Sequence, residues 1–191
     1  MQLKPDSNYN VVILFSGGTD SIFLHQLSKS LNYKSILLFI NYGQKHIREL
    51  QFAQKYANEE NVDIFYTDFI TYSSITNSAL TGNFDNNLYK NVNEFYVPMR
   101  NTFLLTIATA YAETNKIPLI WIGSNYSDRL DLFPDCYQEY IVNIDKLFSS
   151  ICTFSIKIEA PLLGMSKEMI LNLLKKEYNI TEDRMFSGYE E

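Results

Sequence analysis

Asn10-Val-Val-Ile-Leu-Phe-Ser-Gly-Gly-Thr-Asp-Ser-Ile-Phe-Leu24 decides the fold. Asn10 to Phe15 is a short, unbroken apolar run, the pattern of a strand buried on both faces. Ser16-Gly17-Gly18 stops it as a tight turn. Asp20 to Leu31 then follows with helical spacing at Ile22, Phe23, Gln26, Leu27 and Leu31. The two glycines allow positive φ and close backbone approach. A strand, a glycine turn and a helix in this order make an anion site from exposed N–H groups and the positive helix end. The hydroxyls of Ser16, Thr19 and Ser21 add donors. The turn is neither the P-loop of kinases and GTPases nor the dinucleotide Gly-x-Gly-x-x-Gly signature.

Working outward, Ser35 to Ile40 reads as a second buried strand and His46 to Glu59 as a polar-faced helix ending near Asn61. Val62 to Tyr66 is a third strand. Phe69 to Pro98, rich in Ser, Thr and Asn, shows no regular pattern, and so long a loop is often functional. Asn101 to Thr114 is a helix, Leu119 to Ile122 a fourth strand and Ser124 to Asp135 a polar loop. Cys136 to Phe148 is helical, Thr153 to Ile158 is a fifth strand, and Ser166 to Glu177 is a last helix with Ser166 as N-cap. This alternation predicts an α/β fold, a five-stranded mostly parallel sheet with helices on both faces. Ligands of such sheets sit at the carboxyl ends of the strands, here the loops after Phe15, Ile40 and Ile122. No repeat or second domain is visible, so 1–191 is expected to be one domain.

Composition narrows the function classes. With 46% hydrophobic and 20% charged residues the chain is ordinary globular protein, and no run is long and apolar enough for a membrane span. Net charge is −6, which argues against direct nucleic-acid binding by the chain as a whole. Two cysteines, Cys136 and Cys152, are too few for a disulfide framework or a structural zinc site. The polar stretch Met1 to Asn10 is unlike a signal peptide, so a reducing cytoplasm is the expected compartment.

The strand, Ser-Gly-Gly-Thr-Asp-Ser and helix order resembles the PP-loop ATPase superfamily, whose Rossmann-like members hold the pyrophosphate of ATP and transfer AMP to a substrate oxygen. Five further blocks, in order, resemble the 7-cyano-7-deazaguanine synthases of queuosine biosynthesis: Asn41-Tyr-Gly-Gln-Lys-His-Ile-Arg-Glu49, Asn77-Ser-Ala-Leu-Thr81, Val97-Pro-Met-Arg-Asn-Thr-Phe-Leu104, Gly123 to Cys136, and Pro161-Leu-Leu-Gly-Met-Ser-Lys-Glu168. The resemblance implies ATP with Mg²⁺ and conversion of 7-carboxy-7-deazaguanine to the amide or nitrile with ammonia. By it, Ser16, Gly17, Gly18, Thr19 and Ser21 cradle pyrophosphate. Lys167 neutralises phosphate charge, against a reading as a solvated first-turn lysine. Arg100 contacts phosphate or the substrate carboxylate, against a helix-entry salt bridge. Asp20 is read as a helix cap ahead of a Mg²⁺ ligand. Gln44, Lys45 and His46 line the site.

The guanine-like edge offers adjacent donors, which suits a carboxylate. By the resemblance Asp128 and Asp135 are the candidates, with Asp131 and Glu139 as substitutes and Phe133 as a stacking ring. Cys136 is read as packing, and His25 is given no role.

Four departures from the family stand out. Ser187-Gly188-Tyr189 replaces the first step of its zinc-binding tail, so no zinc is expected. Met99 stands where the family has glycine and is expected to narrow the site. The Asp128 to Pro134 segment is one residue longer, and Tyr137 replaces an arginine. These keep two alternatives open: a related ligase joining the same carboxylate to another amine, such as one on a protein, and a non-catalytic nucleotide-binding subunit. A homodimer is also expected.

Overall fold

The computed structural model describes residues 8–44, 48–76, 78–82, 95–130 and 133–185. Five parallel strands form one sheet: β1 (Val11–Leu14), β2 (Ser35–Asn41), β3 (Ile64–Asp68), β4 (Leu119–Trp121) and β5 (Lys157–Glu159), in the order β3-β2-β1-β4-β5. The helices are α1 (Thr19–Ser30), α2 (Arg48–Glu60), α3 (Arg100–Asn115), α4 (Tyr126–Leu130), α5 (Gln138–Ile151) and α6 (Lys167–Glu177).

The apolar runs are continuous because helices cover both faces. Side chains alternate along a strand, so Val12 and Leu14 of β1 join Leu105 and Ala108 of α3 and Ile141 and Ile144 of α5. Val11 and Ile13 instead join Ile22 and Leu24 of α1, Ala53 and Tyr56 of α2, and Ile170 and Leu174 of α6. Ile13 is wholly buried, and each such side chain contributes about 1.5–3 kcal/mol. β1 pairs with β2 on one side and β4 on the other, so the strand order reverses at β1. That reversal opens the crevice where ligands of open α/β sheets bind, and the glycine turn lies at its mouth.

Asparagine closes three of the helices. Asn32, Asn61 and Asn179, just past α1, α2 and α6, have φ of 57°, 52° and 54°. Asparagine tolerates this left-handed backbone better than other side-chain-bearing residues. Ser166 caps α6, its Oγ accepting the Met169 N–H at 3.2 Å.

Several boundaries differ from the sequence expectation. The third strand starts at Ile64, because the Val62 N–H closes the end of α2 on Ala57 O at 3.0 Å. The fifth strand is only Lys157–Glu159; Thr153 gives its hydroxyl to the Glu113 carboxylate at 2.7 Å instead of joining the sheet. Ser124 to Asp135 is not simply a loop. Asn125 Oδ1 accepts the Ser127 and Asp128 N–H groups at 2.8 and 3.2 Å and so starts α4. Cys136 belongs to a 3₁₀ turn, Pro134–Cys136, and α5 begins only at Gln138. The 69–98 stretch contains a 3₁₀ segment, Ile70–Ile75, held by Tyr72 stacked on Phe103 with centroids 4.2 Å apart. Among the described residues no helix is long and apolar enough to cross a membrane.

Candidate functional site

A cavity of about 1030 Å³ opens at the carboxyl ends of β1, β2 and β4. Its first wall is the glycine turn. Gly17 has φ of 82°, and a Cβ there would lie 3.2 Å from Ala53 N, main chain that cannot swing aside. The turn is fastened internally: Ser21 Oγ accepts the Ser16 N–H at 3.3 Å and donates to Gly18 O at 2.9 Å. Gly18 is the N-cap of α1, and no side chain caps that end. The first N–H groups of a helix have no partner inside it, so this end suits an anion. Ser16, Gly18, Thr19 and Ser21 line the cavity, and Lys167, the first residue of α6, joins them. Gly17 is not among the lining residues.

Asp20 does not cap the helix, since Gly18 holds that position. Its Cβ packs on Gly123, just past the end of β4, where an added Cβ would lie 3.2 Å away. The carboxylate is buried with the Asn125 amide as its neighbour. Burial, then the Asp128 charge, pushes the Asp20 carboxyl up to about 7, against the pull of Lys167 and Asn125.

The second wall comes from the β2–α2 connection and α3. Gly43, with φ of 87°, seats that connection on the Ile70–Ile75 segment, where a Cβ would clash with Ser73. Gln44 Oε1 accepts the Tyr42 N–H at 3.0 Å, and its Nε2 donates to Glu49 Oε2 at 3.2 Å. Burial pushes Glu49 up to about 7, opposed by Gln44 and Arg100. Burial works against the Arg100 charge, but Tyr42 and Asp135 together hold its pKa above the ordinary value. Tyr42, Gln44, Glu49 and Arg100 all line the cavity.

The third wall follows β4, with Ser124, Asp128, Phe133 and Cys136. Asp128 Oδ2 accepts the Asn125 N–H at 3.0 Å. Burial, with Asp128 and Asp135 nearby, pushes the Cys136 thiol up to about 12, which leaves it unreactive.

Not every expected residue reaches the cavity. Asp135 is buried and is not among the lining residues; its Oδ2 accepts the Asn101 N–H at 3.2 Å, at the start of α3. Met99 is 60% exposed and does not line the cavity, so it does not narrow the site. With φ of 58° it keeps a backbone conformation that suits glycine. Tyr137 is the N-cap of α5 and is likewise not a lining residue. His46, Lys45, Asp131 and the Ser187-Gly188-Tyr189 step lie outside the described residues. His25 lies in the core, its Nδ1 paired with Tyr56 Oη at 2.8 Å. The sequence reading gave Tyr42 and Glu49 no role, although both stand in the Asn41–Glu49 block. The signal for Glu49 is an acid in the first helical turn after a buried strand's carboxyl end.

The fold is the parallel α/β architecture of a group of solved synthetases and tRNA-modifying enzymes. It is similar to an NH3-dependent NAD synthetase from Campylobacter jejuni, with TM-score 0.57 and 18% identity, covering 94% of this chain and 68% of that one. It is also similar to the U34-tRNA thiolase NcsA from Methanococcus maripaludis, with TM-score 0.56 and 18% identity, covering 97% and 62%. The chain belongs to the family of queuosine biosynthesis protein QueC, whose model matches residues 10–191. Among its relatives, a 7-cyano-7-deazaguanine synthase from Coxiella burnetii is 36% identical over 182 residues, 89% of this chain and 80% of the relative. The synthase from Aquifex aeolicus is 33% identical over 194 aligned positions, 94% and 86% of the two chains.

Proposed function

We propose that this chain uses ATP to adenylate the carboxylate of 7-carboxy-7-deazaguanine and aminates it, through the amide, to the nitrile. The observation that carries the reading is one cavity holding an uncapped helix N-terminus, Lys167, Arg100 and the buried Asp20 carboxylate. A carboxylate is a poor electrophile, because its leaving group is oxide. Attack of its oxygen on the α-phosphorus of ATP releases pyrophosphate and makes AMP the leaving group. Ammonia then displaces AMP to give the amide. A second adenylation, on the amide oxygen, allows elimination to the nitrile.

Most of this catalysis is positioning and charge neutralisation. Ser16, Gly18, Thr19 and Ser21 cradle the pyrophosphate, Gly17 gives their turn its shape, and Lys167 offsets the charge. Arg100 stays protonated and holds the substrate carboxylate against the α-phosphate. Asp128 takes the adjacent N–H donors of the base, and Phe133 stacks on its ring. Asp135 fixes the start of α3 and thereby the root of Arg100.

A divalent cation fits beside Asp20. Burial and then a second carboxylate, Asp128, raise its pKa, and a cation between the two acids would relieve that cost. Mg²⁺ is commonly held by one or two carboxylates together with substrate phosphates. Bound there by Asp20, it would neutralise phosphate charge.

The test is mass spectrometry of the chain with ATP, Mg²⁺, 7-carboxy-7-deazaguanine and ammonium. AMP with the nitrile is expected. AMP with an acyl-adenylate that ammonium does not consume would favour a different amine, and absence of AMP would overturn the reading.

A further inference from the structure

Ammonium, the form that predominates in neutral water, has no lone pair to offer a carbonyl. A proton must leave the nitrogen inside the site, to a group on the cavity wall close to the activated carbon. Glu49 stands on that wall. Its main chain abuts the phosphate turn: a Cβ on Gly17 would lie 3.5 Å from Glu49 O. It lines the same cavity as Arg100, the proposed partner of the substrate carboxylate. Oε2 is oriented by the Gln44 amide at 3.2 Å. The charged and titratable groups that act on it are Arg100, from α3, and Tyr42, from the β2–α2 connection. Asp20 and Asp128 stand instead with Lys167, at the phosphate turn. Burial leaves Glu49 near 7, so both of its forms exist at neutral pH.

We propose that Glu49 binds the ammonium ion and acts as the general base of the amination. One N–H bond breaks, and its proton passes to a Glu49 oxygen. The freed lone pair forms the C–N bond at the acyl-adenylate carbon. The tetrahedral adduct collapses, the C–O bond to AMP breaks, and AMP leaves with that electron pair. The nitrogen sheds a second proton to water, leaving the neutral amide. Nothing is oxidised or reduced. This inference rests on the synthase reading above.

The experiment compares wild type with Glu49→Gln in two assays. The first is pyrophosphate exchange into ATP that depends on 7-carboxy-7-deazaguanine, run without amine. Its absence in wild type would defeat the synthase reading itself. Glu49→Gln is expected to keep this exchange within a few-fold. The second is amide formation from ammonium, expected to fall by about a hundredfold or more. Hydroxylamine, which is already neutral at this pH, should restore the variant nearly to the wild-type rate, as hydroxamate. Wild-type amination of ammonium by the variant would overturn the proposal. So would an equal loss with both nucleophiles, or loss of the exchange as well, since the carboxylate would then serve folding or adenylation.

Discussion

Replacing Met99 with glycine is expected to stabilise the protein and leave its substrate affinities unchanged. Met99 is the N-cap of α3 with φ of 58° and ψ of 14°. That left-handed backbone costs a side-chain-bearing residue about 1–2 kcal/mol and glycine almost nothing. The side chain is 60% exposed, so truncation forfeits little burial. The opposing effect lies in the unfolded chain, where the extra freedom of glycine costs about 0.4–1 kcal/mol. At mid-range the difference leaves a gain of about 0.8 kcal/mol. For a chain of this length that raises Tm by about 1–4 °C. Thermal melts and urea titrations with an unchanged m-value measure it, alongside KM for ATP and for the acid. A Tm lowered by several degrees would refute the strain argument, because it would mean that the exposed side chain packs. A shift in KM beyond a few-fold would refute its placement outside the cavity.

Gly17→Ala puts a Cβ 3.2 Å from the Ala53 main chain at φ of 82°, so it should cost about 1–3 kcal/mol and weaken ATP binding at least about tenfold, read by urea titration and calorimetry. Glu49 carries a pKa raised from 4.5 to about 7. The folded state therefore favours its protonated form, and that contribution to stability is lost as pH rises from about 4.5 through 7. Glu49→Gln should gain on wild type across that window, by at most about 3 kcal/mol, and an unchanged difference would count against the burial argument. Arg184 binds Glu59 and Glu60 at 3.0 and 2.8 Å and fixes the segment whose Met185 lines the cavity. Arg184→Ala should cost about 1 kcal/mol and raise KM for ATP several-fold, with high salt on wild type moving KM the same way.

What was legible in the sequence follows the physics of each element. The apolar run to Phe15, cut by two glycines, admits one reading, and the turn and α1 follow from it. The strand order is another matter: β4 lies beside β1 because the chain crosses back after β3, and no local period encodes that crossing. Short polar segments were misjudged for a related reason. A single asparagine, Asn125, starts α4 with its side-chain oxygen, and Glu113 draws Thr153 away from the sheet. At the site, the glycine turn is readable because adjacent residues build it. For Asp20 only the cap reading fails, because Gly18, two positions earlier, is the N-cap. Asp135 was beyond reach, because the 3₁₀ turn at Pro134 aims its carboxylate at α3. Glu49 acquires meaning only when α2 folds against Gly17.

The most direct test of the account is isotope exchange between pyrophosphate and ATP, with Mg²⁺ and 7-carboxy-7-deazaguanine and with no amine present. The account predicts exchange that requires the acid and is lost in Lys167→Ala and Arg100→Ala. No exchange from a protein that binds ATP, or exchange indifferent to the acid, would contradict it.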